Sequence, residues 1–135
     1  MSQQTRTAAG NAHDKLCASA RQEIAEHFGR CGALMEALGD ETRQAIVLAL
    51  LNAGPEGLRV GEITALTNLS RPAVSHHLKV LKDAGAVAMR KSGTMNFYRL
   101  DESSSAWRSL WQFSDSVRTT VLRVRRMADQ CEQHE

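Results

Sequence analysis

The chain has 135 residues, a net charge of +2 and 42% hydrophobic residues, which suits a single globular domain and not a fibrous or disordered chain. Its longest strongly apolar run, AIVLALL at 45–51, is far short of the roughly 20 residues a membrane span needs. The opening MSQQTRTAAGNAH lacks the apolar stretch of a signal peptide, so a cytoplasmic protein with no membrane partner is expected.

Residues 1–12 are polar and small and are expected to form a flexible tail ahead of one domain over 13–135. Leu16, Ala20, Ile24 and Phe28 recur at helical spacing and predict a helix over 13–28, which Gly29 and Gly32 interrupt. Asp40 can cap the next helix, ETRQAIVLALLNAG, which Gly54 and Pro55 stop. Its apolar residues run almost all round, which predicts a central buried helix.

GLRV reads as a short strand, and GEITALTNL as a short helix with Ile63 and Leu66 inward. Asn68 stands where a tight turn between helices needs a left-handed residue. Ser70 or Arg71 caps the following helix, Pro72 fits its first turn, and Gly85 ends it. Val74, Leu78 and Leu81 should face the core. The outward side of this helix carries Arg71, Ser75, His76, Lys79 and Lys82.

VAMRKSGTMNFYRL predicts a hairpin over 86–100 turning at Ser92-Gly93, with Met89 opposite Asn96 and Val87 opposite Tyr98. Arg90 and Lys91 then mark its tip. Between 70 and 99 the basic residues Arg71, Lys79, Lys82, Arg90, Lys91 and Arg99 are accompanied by one acid, Asp83. Residues 103–131 predict one long helix. Trp107, Leu110, Ser114, Val117, Val121, Val124, Ala128 and Cys131 form a heptad stripe along it, and such a stripe wants a partner helix.

Helix, tight turn, helix and basic hairpin describe a winged helix-turn-helix over 61–84 with its wing at 86–100. The fold class is mainly α, five helices with a small β-hairpin. A helix of about 14 residues fits the major groove of duplex DNA, and the hairpin can reach a neighbouring phosphate. The expected contacts are Ser70, Arg71, Ser75, His76, His77, Lys79 and Lys82 from the helix and Arg90, Lys91, Ser92 and Thr94 from the wing. His76 and His77 point about 100° apart on a helix, so they make no chelate. His76 faces DNA, and His77 is left between half-buried packing and phosphate contact. No metal site, cofactor or catalytic constellation is expected, because no phosphate loop, nucleophile elbow or ligand triad occurs.

The same stretches resemble the ArsR/SmtB family of bacterial winged-helix repressors. ALGDETRQAIVLALL resembles the family's second-helix signature, LSRPAVSHHLKVLKDAGAV its recognition helix, and RKSGTMNFYRL its wing. The resemblance implies a homodimer paired through the first and last helices (13–32 and 103–131), with Leu16, Ala20, Ile24, Trp107, Leu110, Val117, Val121 and Val124 at the interface. It also implies an operator near the protein's own promoter, and release by a small inducer. The family's metal-sensing residues are missing. LRVGEI has no cysteine, and WRSLWQFSDSVRTTVLRVRR has no histidine.

Cys17, Cys31 and Cys131 are odd in number and form no CxxC, which argues against a disulfide scaffold. Inert packing is the plain expectation for them. The alternative is a thiol site for a soft metal, arsenite or an oxidant, made where Cys17 of one chain meets Cys131 of the other. A winged helix used for protein docking is a remoter alternative, since such a surface is more often apolar than basic.

Overall fold

The computed structural model describes the backbone of residues 2–134 and the side chains of 17–134. Five helices and one hairpin follow in the order α1 (Ser2–Leu38), α2 (Glu41–Asn52), α3 (Val60–Thr67), α4 (Arg71–Asp83), β1 (Val87–Ser92), β2 (Met95–Leu100) and α5 (Ser105–Glu132). The chain divides into two compact units where the sequence reads as one. One is Arg30–Leu110; the other joins the chain before Arg30 to the chain after Leu110.

The core lies in the Arg30–Leu110 unit. Leu34, Ile46, Ile63, Val74, Leu78 and Leu81 are all fully buried there. Each fully buried aliphatic side chain contributes roughly 1.5–3 kcal/mol relative to exposure. The i, i+4, i+7 stripe of α4 therefore faces inward as its spacing predicts.

The helix ends follow local chemistry. Asp40 caps α2 by accepting the Arg43 backbone N–H at 3.0 Å. Asn68 turns the chain between α3 and α4 in the left-handed region, at φ 56 and ψ 24. Ser70 accepts the Ala73 N–H, and Pro72 sits in the first turn of α4. At the far end the Ala86 N–H donates to the Leu81 carbonyl and the Gly85 N–H to that of Lys82, with Gly85 at φ +82. This is the doubly bonded glycine stop of a Schellman turn. The Ala86 carbonyl then accepts from both the Asp101 N–H at 3.0 Å and the Trp107 indole N–H at 3.1 Å. The end of α4, the end of β2 and the start of α5 meet on that one oxygen.

Several expectations are corrected. The first helix begins at Ser2, where a loose tail over 1–12 was expected, and it runs through Gly29 and Gly32 to Leu38. The segment has no proline, and its three glycines, Gly10, Gly29 and Gly32, weaken a long helix without breaking it. Leu16 side-chain packing lies outside the described residues. Helix α2 is not buried all round, because α3, α4 and β2 cover one side only. Ile46, Val47 and Leu50 are inside, while Leu48 and Leu51 are 60% and 61% exposed. In α3 the inward stripe runs through Val60, Ile63 and Thr67. Leu66 sits about 100° of helix rotation away from that stripe and is 65% exposed.

The hairpin turns at Gly93-Thr94, one residue later than the sequence suggests. Met89 therefore pairs with Tyr98, Val87 with Leu100, and Ser92 with Met95. Gly93 at φ +61 takes the first central position, where a tight hairpin turn accepts a left-handed residue. Moving the turn by one residue shifts every partner by two, so each side chain keeps its face. The expected strand at GLRV is a single bridge. Leu58 and Tyr98 exchange both backbone hydrogen bonds at 2.8 Å.

Candidate nucleic-acid interface

One continuous face of α4 is exposed and carries Arg71, Ser75, His76, Lys79 and Lys82, with Pro72 between the first two. The opposite face is locked into the core, so the outward residues are held at fixed angles. His76 is exposed. His77 is half-buried. Its Nδ1 is buried without a hydrogen-bond partner. The two rings lie 5.7 Å apart at 60°, so they do not converge on a common ligand.

The wing packs beside this helix. Lys91, Ser92 and Thr94 are exposed around the turn. Arg90 stands back from the tip, opposite Phe97. Its guanidinium stacks 4.9 Å from the Phe97 ring centroid and lies 3.6 Å from the Glu56 carboxylate. Arg99 shares that face but is tied to Glu102 at 2.8 Å. Arg59 holds Glu62 at 2.9 Å in the capping box of α3 and also reaches the Met95 sulfur. Among the wing arginines, Arg90 is thus pre-oriented by a ring.

Sequence reasoning did not find the Asp40–Arg43 corner. The Arg43 Nε donates to the Ala37 carbonyl at 2.6 Å, and the Gln44 amide donates to that of Leu38 at 2.7 Å. Two side chains of α2 therefore close the end of α1. The signal was the three-residue spacing inside ALGDETR, where one residue caps its own helix and another caps its neighbour. The Arg43 amide bond is the chief cause that holds the Asp40 carboxyl below the ordinary carboxylate range, with the Arg43 charge, the Thr42 amide and the nearby His77 acting in the same direction. A folded-state pKa depressed in this way stabilises above the unfolded carboxylate pKa, and the benefit is lost as pH falls through the folded value. Urea melts should show that Asp40→Asn flattens the acid-side fall in stability while keeping a capping oxygen; an unchanged acid limb would remove Asp40 as its source.

The helix ends outside the winged unit carry the other expected residues. Ala20 and Val124 share a shallow hollow with Cys17, Thr120, Arg123 and Met127. Phe28 meets Phe113 edge to face at 5.2 Å. Ile24 is half-buried. Val117, Val121 and Val124 are exposed along α5, with Trp111 70% exposed. Trp107 and Leu110 are half-buried, packed on the core of the Arg30–Leu110 unit. Cys17 is half-buried, Cys31 is fully buried with its sulfur 3.7 Å from that of Met35, and Cys131 is exposed. Among the described residues no three His, Cys, Asp or Glu side chains are placed to hold a metal ion, and no helix is long and apolar enough to cross a membrane.

Comparison with known proteins agrees with this geometry. Residues 40–88 match the family described as bacterial regulatory protein, arsR family. The chain is 51% identical over 71 residues to the HTH-type transcriptional regulator Rv2034 of Mycobacterium tuberculosis, a match covering 53% of this chain and 64% of that relative. It is 35% identical to the transcriptional repressor SdpR of Bacillus subtilis over 50% of this chain and 72% of that protein. The structure of reduced HlyU from Vibrio cholerae superposes with a TM-score of 0.55 at 30% identity, covering 67% of this chain and 92% of that one. The matched residues contain the caps, the left-handed turn and the recognition helix described above, and the chain belongs to the ArsR family of bacterial transcriptional regulators.

Proposed function

We propose that the protein is a homodimeric repressor that binds an inverted-repeat operator, with α4 in the major groove and the wing on the flanking backbone. The exposed face of α4 carries this reading. Arg71, Ser75, His76, Lys79 and Lys82 stand outward on a helix whose other side is fixed in the core. Phosphate contacts would set register, and Ser75 and His76 would read base edges. Val117, Val121 and Val124 would pair with a second copy through the exposed stripe of α5. Working on promoter DNA, such a regulator acts in the cytoplasm.

Two-fold symmetry places the half-sites about 10 bp apart, or a multiple of that. Specific affinity should be on the order of 10⁻⁸ to 10⁻¹¹ M and should fall steeply with salt. Binding to a duplex from the region upstream of the protein's own gene tests this. Arg90→Ala should weaken all sequences alike, whereas Ser75→Ala and His76→Ala should relax specificity at single base positions. The absence of any salt-sensitive, sequence-selective complex would refute the reading.

Release by thiol chemistry is a second reading, favoured by the solvent-open Cys131 and the half-buried Cys17 beside Arg123. If Cys17→Ser and Cys131→Ser leave the response to arsenite and oxidant unchanged, this reading is wrong.

A further inference from the structure

Arg71 opens α4, yet its side chain lies back over the first turn of α3. Gly61 occupies that turn. A Cβ at Gly61 would stand 2.9 Å from the Arg71 Nη2 and 3.9 Å from its Cζ, so the guanidinium rests where any other residue would place a side chain. The backbone does not require glycine here, since Gly61 is helical and has no positive φ. Glycine inside a helix lowers stability relative to alanine. What Gly61 supplies is room.

The charge placed in that room is unanswered. Arg59, Arg90 and Arg99 each have a carboxylate within reach, on Glu62, Glu56 and Glu102. Among the described residues Arg71 has no carboxylate within 4.0 Å. The carboxylate in the adjoining first turn of α3, Glu62, is already taken up by the Arg59 backbone N–H at 3.1 Å and the Arg59 side chain at 2.9 Å. A phosphodiester oxygen answers the Arg71 charge, and the planar guanidinium fork matches it.

We propose that Gly61 is the seat that holds Arg71 as a fixed phosphate-binding charge. The inference rests on the DNA-binding reading above and adds a positioning residue to it. A long side chain loses rotamer freedom when it binds, and one already seated loses less. Gly61 thus gives up some helix stability and gains a pre-ordered contact.

The two effects of Gly61→Ala should have opposite signs, which makes the test sharp. The probes are a duplex enriched from a random-sequence pool by the unsubstituted protein and a scrambled duplex of equal length. Gly61→Ala should raise the melting temperature by about 3–6 °C. It should weaken binding to both duplexes roughly tenfold and make the log K against log salt slope shallower by about 0.9. Arg71→Ala should lose the same amount, and adding Gly61→Ala to Arg71→Ala should cost nothing more. Unchanged affinity in Gly61→Ala overturns the seat, as does a further loss in the Arg71→Ala background or a lowered melting temperature. Failure of the unsubstituted protein to enrich any duplex instead sinks the DNA-binding reading, and the seat falls with it.

Discussion

Val121→Glu should turn the protein into a folded monomer and lower operator affinity by a factor of about a hundred or more. Val121 lies on the outer stripe of α5 and is 51% exposed within one chain. A carboxylate there meets solvent in the monomer, and surface changes of that kind alter folding by roughly 0.5 kcal/mol or less. In a dimer the same carboxylate would be buried against its symmetry mate, where two unpaired like charges are costly. Loss of the dimer removes the linked second half-site, whose effective concentration is in the millimolar range. Sedimentation and binding titrations on the same sample read both effects. A Val121→Glu variant that stays dimeric and binds as before would move the interface away from this stripe.

The second large effect concerns the root of the wing. Gly57 has φ +81, and a Cβ there would drive into the Tyr98 carbonyl, with the Arg99 Cβ 3.3 Å away. Backbone cannot yield as a flexible side-chain tip can. Alanine also carries about 1–2 kcal/mol of left-handed strain. The Leu58–Tyr98 bridge, with its two hydrogen bonds at 2.8 Å, is the part that must give. Gly57→Ala should therefore cost about 3 kcal/mol or more. That is a large share of the roughly 5–15 kcal/mol available to a domain. A denaturant midpoint within error of the unsubstituted protein would contradict it. Gly61→Ala is the natural control, because the same exchange there meets only the end of a long side chain.

The contrast between these two glycines shows what can be read from a sequence. Both are single glycines in the same short stretch, and nothing in the residue letters tells them apart. Their roles come from what lies opposite, Tyr98 for one and Arg71 for the other, and those neighbours are set by tertiary packing. Local signals were read well where the chemistry is local. Asp40, Asn68, Ser70, Pro72 and Gly85 each act within a few residues of themselves, and each stands where its spacing places it. The α4 stripe was legible for the same reason.

Legibility failed where one apolar pattern has two outcomes. Leu48, Leu51 and Leu66 look like core residues by type, but whether a face is covered depends on which elements pack there. The hairpin turn slipped by one residue because Ser92-Gly93 and Gly93-Thr94 are both acceptable pairs, and strand pairing decides between them. The exposed basic face of α4 was visible in the sequence as a charge pattern. Its supporting parts, Arg43 on Ala37, Phe97 under Arg90 and Gly61 under Arg71, were not.

The Ala86 carbonyl bears on how cheaply the winged unit closes. Its two donors, Asp101 and Trp107, follow it closely in sequence, and the glycine stop that presents it is made from α4 alone. Contacts near in sequence cost little loop entropy and form fast. The acceptor and both donors lie inside Arg30–Leu110, so this clasp draws on no residue of α5 beyond its first turns.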